Sequence, residues 1–342
     1  MAQQDEVISP EPVLSTVFAF WTSSILRTGV DFDVFTHISE GRKTADEIAR
    51  ASGANPGAIG RLLNALTGLK FLQKPDKDTY ELTPVAAAYL VNNSPSYLGI
   101  LTGHVTDLWN TWGRLTEVVR TGNLADMPTD MPTDMIDTPQ KGPEFFKKLV
   151  ARIFPLSYGI ACRLADEIGA AGELKIVDVA AGAAPWSIPF AQKDKNISVT
   201  AVDFPEVLEM TKGYVERFNV ASQYSYLAGN IRELNFGADT YDIALLGHIC
   251  HSEGEVHSKE LLKKIYRCLK PGGKVIIPEM VPDAERSAKT FPLMFSLNML
   301  LHTSDGDTFL FEDYQAWLGA AGFRHIGIQI EEGAVTIITA VK

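Results

Sequence analysis

The stretch Lys175–Asp203, KIVDVAAGAAPWSIPFAQKDKNISVTAVD, constrains the fold of this chain more than any other. Ile176–Val179 is a short β-branched run carrying Asp178, a Gly/Ala-rich turn follows, and after a helical segment Ile197–Val202 makes a second apolar run closed by Asp203. Strand, turn, helix and strand in that order are half of a doubly wound α/β unit. Such a sheet opens a crevice at the carboxyl ends of its strands, where this reading places Asp178 and Asp203. An acid closing the second strand can accept hydrogen bonds from both ribose hydroxyls of a nucleoside. The same acid repels a 2′-phosphate.

The turn argues about the rest of the ligand. A dinucleotide fingerprint needs three glycines to bring backbone N–H groups against a pyrophosphate. Here Gly182 stands among Ala180, Ala181, Ala183 and Ala184, and Pro185 removes one donor N–H. The methyl groups crowd the place a pyrophosphate would take, so a ligand without phosphates is favoured. Taken alone, the turn fits close helix–strand packing equally well.

At 342 residues the chain has room for two domains with their own cores. Hydrophobic residues at 46% and charged residues at 21% are ordinary for a globular protein, and no apolar run reaches the length of a membrane span. The start, MAQQDEVISPEP, has neither a basic nor an apolar leader region, and the expected location is cytoplasmic. Cys162, Cys250 and Cys268 are too few and too scattered for a disulfide framework. A net charge of −11 disfavours nucleic acid and acidic lipid as partners, leaving small molecules.

In chain order, residues 13–29 read as one helix too apolar for solvent, suited either to a subunit interface or to a domain core. From Thr44 a capped helix with Glu47 in the capping-box position, a turn over Gly53–Gly57, a second helix to about Leu69 and a hairpin (Phe71–Leu72 with Tyr80–Leu82) spell a winged helix. Its second helix carries only Arg61 before Lys70, which offers no phosphate footprint, so a dimerisation module is the better reading. Residues 97–121 and 143–168 read as long helices containing Trp109, Trp112, Phe145, Phe146, Phe154 and Tyr158. Between them the tandem DMPTDMPTDM at Asp126–Met135 reads as a surface loop, either a lid or a slipped duplication without a role.

After Asp203 the α/β rhythm continues: a helix over Pro205–Phe218, strands at Tyr224–Leu227 and Tyr241–Leu246, a loop over His248–His257, a helix over Ser258–Leu269, the turn Pro271-Gly272-Gly273, and a strand over Lys274–Pro278. Polar strand ends at Asp178, Asp203, Asn230, His248–His251 and Glu279 are thereby expected on one edge. His248, His251, His257 and Cys250 do not have zinc-ligand spacing, and no metal is expected. Phe291, Met294, Phe295 and Met299 recur at helical spacing, which fits core packing and also fits the wall of a flat, apolar pocket.

Several segments together, VDVAAGAA (177–184), VDFPEVL (202–208), GNI (229–231), LLGHICHSEGE (245–255) and LKPGGKVIIPEMV (269–281), resemble the class I S-adenosylmethionine-dependent methyltransferases. Within these the chain is similar to the two-domain small-molecule O-methyltransferases over nearly its whole length. The resemblance implies an α/β, Rossmann-like catalytic domain over 171–342, preceded by a mostly α winged-helix dimerisation domain over 1–95, with connecting helices and a substrate lid over 96–170. It implies S-adenosyl-L-methionine as cofactor, held by Asp178, Ala180, Gly182, Asp203, Phe204, Asn230, Ile231 and Gly247. It implies His251 as general base oriented by Glu279, an acceptor pocket drawing on Trp112, Phe154, Met294, Phe295, Met299 and His302, and a homodimer.

The chain also departs from that pattern. The first and third glycines of the turn are Ala180 and Ala184, the adenine-side Asp is Asn230, His-Asp-Trp becomes His251-Ser252-Glu253, and a second flanking acid aligns near Thr308, beside Asp307. The expected reaction is methyl transfer to a hydroxyl of an aromatic or polyketide-like molecule. The departures leave two rivals, C-methylation or a cofactor-retaining enzyme of the same fold, and, from another class, a winged-helix regulator that senses a nucleoside.

Overall fold

The structure is a computed structural model that describes residues 8–94, 96–122, 143–169 and 171–342. The DMPT repeat and the side chains of Phe145 and Phe146 lie outside the described residues. The chain divides into two compact units after Asn110, so the connecting segment expected over 96–170 is shared between them.

The N-terminal unit comprises α1 (Glu11–Val17), α2 (Ala19–Asp31), α3 (Val34–Ser39), α4 (Ala45–Ser52), α5 (Pro56–Gly68), β1 (Leu72–Gln73), β2 (Glu81–Leu82), α6 (Pro84–Tyr89) and most of α7 (Thr102–Trp112). The stretch expected as one apolar helix over 13–29 is two, bent by 42° where Phe18 leaves helical geometry. Among the described residues no single helix is long and apolar enough to cross a membrane. α4 starts on the expected capping box: Thr44 Oγ1 accepts the Glu47 N–H at 3.3 Å while Glu47 accepts the Thr44 N–H at 3.0 Å. Asn55 caps α5 by accepting the Ala58 N–H, with Pro56 in the first turn, where a missing donor costs nothing. The inward faces of these helices meet in a core of Phe35, Ile48, Leu63, Leu66 and Leu72, and β1 and β2 pair antiparallel as the wing. Around α1 and α2 the pattern inverts, and Val13, Leu14, Val17, Phe18, Phe20 and Trp21 are exposed.

The C-terminal unit contains α8 (Leu115–Thr121), α9 (Pro143–Ile168), β3 (Lys175–Val179), α10 (Ile188–Lys193), β4 (Ser198–Asp203), α11 (Pro205–Arg217), β5 (Tyr224–Ala228), β6 (Tyr241–Leu245), α12 (Cys250–Cys268), β7 (Leu269–Glu279), α13 (Thr290–His302), α14 (Phe311–Ala321), β8 (Arg324–Glu332) and β9 (Val335–Val341). One sheet runs β5-β4-β3-β6-β7-β9-β8, parallel except where β9 pairs antiparallel with β7 and β8. Pro271-Gly272-Gly273, expected as a turn, makes an irregularity inside β7, where pairing with β6 jumps from Leu269 to Lys274 and Gly272 has φ of 79°. Adjacent residues of a strand point to opposite faces. Thus Ile176, Ile243 and Ile276 pack into the layer of α9, α10 and α11, while Val177, Ala244 and Val275 pack into that of α12 and α14. Strand order reverses between β3 and β6, and a sheet reversing there opens its crevice at their carboxyl ends.

Candidate active site

Two clusters stand at the carboxyl edge of the sheet. The first is the turn after β3, in which Ala180, Gly182 and Ala184 all have φ of 56°. That is the left-handed region, where a Cβ costs roughly 1–2 kcal/mol, so the two alanines hold a glycine conformation under strain. The turn is locked by the Ala181 N–H on the Val202 carbonyl at 3.1 Å, and by Thr211 of α11 donating to the Gly182 carbonyl at 2.7 Å.

Asp203, closing β4, accepts the Gly182 N–H at 2.9 Å and the Phe204 N–H at 2.8 Å. Burial pushes its carboxyl up to about 6, against the pull of those two N–H groups. Asn230 follows β5 with its amide oxygen accepting the Arg232 N–H at 2.9 Å, and Ile231 beside it is buried.

Asp178 is different from what its place in the sequence suggested. It is 1% exposed and accepts a hydrogen bond from Ser187, which also bonds the Tyr224 hydroxyl at 2.9 Å. Burial pushes its carboxyl up to about 7, opposed by Ser187 and reinforced by the charge of Asp203. Asp178 is therefore tied to Ser187 at the start of α10 and buried, because a residue before the end of a central strand is covered by the next layer. Gly247 has a packing reason of its own: a Cβ there would fall 2.1 Å from the Trp186 indole.

The second cluster joins β6, β7 and α12. Residues 248–257 were expected as a loop, but α12 already begins at Cys250 and is interrupted at Gly254 (φ 73°, ψ 176°). His251 thus sits in a helical first turn, 7% exposed. Glu279, the last residue of β7 and 1% exposed, accepts the His251 N–H through Oε1 at 3.2 Å and lies 2.7 Å from His251 Nδ1 through Oε2. The carboxylate therefore both caps the helix and orients the ring. With Nδ1 donating to it, Nε2 is the basic nitrogen. Burial alone would raise Glu279, but His251 and then His248 hold it well below the usual carboxylate range.

At the break in α12, the His251 carbonyl accepts the Asp307 N–H at 3.0 Å. A Cβ on Gly254 would meet the Asp305 carbonyl at 2.5 Å, and one on Gly306 the His251 carbonyl at 2.5 Å. The segment 305–307 is thereby pressed onto the histidine turn. Asp307 bonds Ser296 and the Thr308 N–H, and Thr308, 1% exposed, donates to the Pro292 carbonyl.

The expected pocket residues separate. Phe295 presents an edge contact to the His251 ring at 4.9 Å and stacks with Phe291 at 6.0 Å. Met294 is half-exposed, Met299 is buried, and His302 closes α13 with Nδ1 donating to the Asn298 carbonyl at 2.8 Å. Trp112, on the C-terminal side of the division, donates to Asn298 of α13 at 3.3 Å. Phe154 is corrected: it is packed in the core against Tyr158, Tyr214 and Phe218, since Pro143–Ile168 lies against α11. His248 is at the edge as expected, and Trp186, which has no place in the pattern read from the sequence, is brought there beside it, with rings 5.4 Å apart.

The O-methyltransferase domain profile matches residues 164–324, and the O-methyltransferase dimerisation domain profile matches residues 14–92. The chain belongs to the O-methyltransferases. Its catalytic unit is the Rossmann-like domain of class I methyltransferases, its cofactor is S-adenosylmethionine, and its N-terminal unit is the dimerisation domain. The methyltransferase is 25% identical to the tetracenomycin polyketide synthesis 8-O-methyl transferase TcmO of Streptomyces glaucescens, over 98% of each chain. It is 28% identical to the 3-hydroxy-5-methyl-1-naphthoate 3-O-methyltransferase of Streptomyces sahachiroi, over 92% of this chain and 90% of that one. In structure it is similar to a candidate O-methyltransferase from Nostoc punctiforme PCC 73102, with a TM-score of 0.87, 27% identity, and coverage of 98% and 100%.

The donor set of the methyltransferase fits that cofactor. Asp203 offers two carboxylate oxygens, each held by a backbone N–H group, for a diol. At Gly182 the nearest atom to an added Cβ is 3.7 Å away on Val150, so the turn leaves room beside it.

Proposed function

We propose that this methyltransferase methylates a hydroxyl of an aromatic or polyketide-like small molecule, with His251 as general base and Glu279 as the group that orients it. The observation that carries the reading is the buried pair itself, with His251 Nδ1 2.7 Å from Glu279 Oε2. When bound, S-adenosylmethionine supplies an electrophilic methyl group. Asp203, Phe204, Asn230, Ile231 and the turn Ala180–Gly182 would hold it. The remaining chemistry belongs to the protein: it must hold the acceptor oxygen and remove one proton. His251 Nε2 accepts that proton as the oxygen forms its new bond to carbon, and the resulting imidazolium is paired with Glu279. A phenolic or enolic hydroxyl near pKa 10 needs such a base at neutral pH.

The acceptor class is supported by the two Streptomyces relatives, whose names specify a polyketide and a naphthoate, and by Phe295 set edge-on to the base. The net charge of −11 favours such a partner over nucleic acid. The homodimer is supported by the dimerisation profile and by the exposed apolar residues of α1 and α2. A reducing, cytoplasmic setting is supported by the free thiols of Cys162, Cys250 and Cys268.

The test is His251→Ala, which should leave the dissociation constant for S-adenosylmethionine within about twofold and lower kcat at least tenfold, toward the roughly hundredfold or more expected of a lost base. Equal turnover in the variant would move the base to His302. Ser252 and Thr308, standing where the family pattern has acids, favour a second reading, C-methylation or an enzyme that retains its cofactor. Product analysis separates these: a new C–CH3 bond, or conversion without consumption of the cofactor, would replace O-methylation.

A further inference from the structure

His248 is the polar group at this edge that the chemistry above does not use. Its backbone has φ of 58°, strained for a residue other than glycine, and its N–H is fixed to the Pro278 carbonyl at 3.0 Å. That conformation turns the ring inward, against the edge of Trp186 and 6.1 Å from the ring of His251. Nδ1 has no solvent contact and no hydrogen-bond partner. It lies 3.9 Å from Glu279 Oε2, the same oxygen that His251 Nδ1 reaches at 2.7 Å. At 3.9 Å the contact is electrostatic and not a hydrogen bond. An approach of about 1 Å would make it one.

A buried carboxylate in hydrogen-bond contact with one imidazole favours the imidazolium. An imidazole kept protonated cannot take a proton from an acceptor, so a dyad this buried carries a conflict. Dividing the carboxylate between two ring N–H groups weakens its hold on either. On the loop pressed against the histidine turn, the Asp307 carboxylate is engaged by Ser296 and by the Thr308 N–H, and the other surrounding groups also leave that task to His248. From α12, the Cys250 thiol is pushed far up by burial and is neutral, and Glu253 is engaged by Arg232 at 2.8 Å. From α14, burial and then the charge of Glu279 keep the Tyr314 phenol neutral. From α13 and the turn after β3, the facing rings are Phe295 and Trp186, neither of which titrates.

Resting on the reading of His251 as base, we propose that His248 is a positioning residue that shares the Glu279 carboxylate with His251 and thereby keeps His251 unprotonated and ready to act at neutral pH. The proton inventory balances: Glu279 stays ionised, His248 and His251 each carry one ring proton at rest, and the proton taken from the acceptor is the third.

The experiment uses the full-length protein without cofactor or acceptor, isotopically labelled at histidine, and follows the His251 ring by NMR as pH is varied in wild type, His248→Phe and His248→Asn. Phe keeps a ring against Trp186 and removes the donor. Asn tolerates the left-handed backbone and carries an amide N–H at the place of Nδ1, and it guards against a Phe variant that fails to fold. The expected result is a His251 midpoint moved to higher pH by at least about half a unit in the Phe variant and restored toward wild type in the Asn variant. Unchanged His251 titration in both variants overturns the proposal. The acid limb of the kcat profile should move with the midpoint, so that the Phe variant recovers turnover at higher pH. A midpoint that moves while the acid limb stays would uphold the shared carboxylate and remove His251 as the base, so the two failures are distinguishable.

Discussion

The edge proposed for the cofactor and the cluster proposed for the base lie on the same rim of one sheet and are built from different materials. At the end of β3 and β4 the contacts are largely backbone: Asp203 is held by the N–H groups of Gly182 and Phe204, and the turn by main-chain bonds and the Thr211 hydroxyl. Backbone geometry survives exchange of side chains if the conformation can be reached, which is why two alanines stand at glycine angles with the turn intact. At the end of β6 and β7 the groups are side chains in contact with each other, with Glu279 serving His251 and facing His248. There each exchange changes the charge inventory of a buried space. The cofactor edge should therefore tolerate substitution of its turn, while the base cluster should fail at any member.

The largest expected effect is Asp203→Ala. Loss of a partly buried acceptor for two hydroxyls should weaken S-adenosylmethionine binding about a hundredfold or more by calorimetric titration. A loss under fivefold would place the ribose elsewhere and erase the contrast. Next comes Glu279→Gln, for which kcat should fall about a hundredfold with cofactor affinity within about threefold. If affinity fell in parallel, the two clusters would be one unit.

A smaller effect comes from pH. Asp203, raised to about 6, is the better acceptor when ionised, so cofactor affinity should fall as pH drops through that value, about tenfold weaker at pH 5 than at neutrality. Folding stability at these carboxyls runs the other way. Their pKa values exceed those of an unfolded chain, so their contribution is greatest below the ordinary carboxylate range and is lost as pH rises through about 6 for Asp203 and about 7 for Asp178. An affinity flat from pH 5 to 8 would show that Asp203 is ionised throughout.

The smallest effect sharpens the account of the turn. Ala180→Gly should stabilise the fold by about 1 kcal/mol in thermal or urea unfolding, because it relieves a left-handed alanine that is only partly buried. Ala184→Gly should be nearly neutral, since its methyl is fully buried and removing it forfeits packing worth about 0.8 kcal/mol. If Ala180→Gly destabilised the protein, the strain account would be wrong.

How much of this was legible beforehand follows from the range over which each force acts. The capping box at Thr44, Asn55 before Pro56, the wing and the alternation of β3 and β6 are local patterns of hydrogen bonding and burial, readable within a few residues. The strand-end acid Asp203 and the pair of His251 with Glu279 followed from family motifs laid over that rhythm. The bend at Phe18 and the helical turn that carries His251 were not readable, because the break at Gly254 is set by the Asp305 carbonyl packed against it from a distant loop. Nor was the burial of Asp178, or the loss of Phe154 to the core, since both depend on which layer covers which strand.

Periodicity and short motifs alone thus settle the α/β class and the winged-helix unit, and the family motifs name the strand ends proposed for the cofactor and the histidine proposed as base. Folding in three dimensions decides which carboxyls are solvated, which glycine angles are forced on alanine, and that a second histidine faces Glu279. Desolvation and distance-dependent electrostatics are properties of neighbours in space, and residues 178, 187 and 224, or 248, 251 and 279, become neighbours only once the sheet has formed.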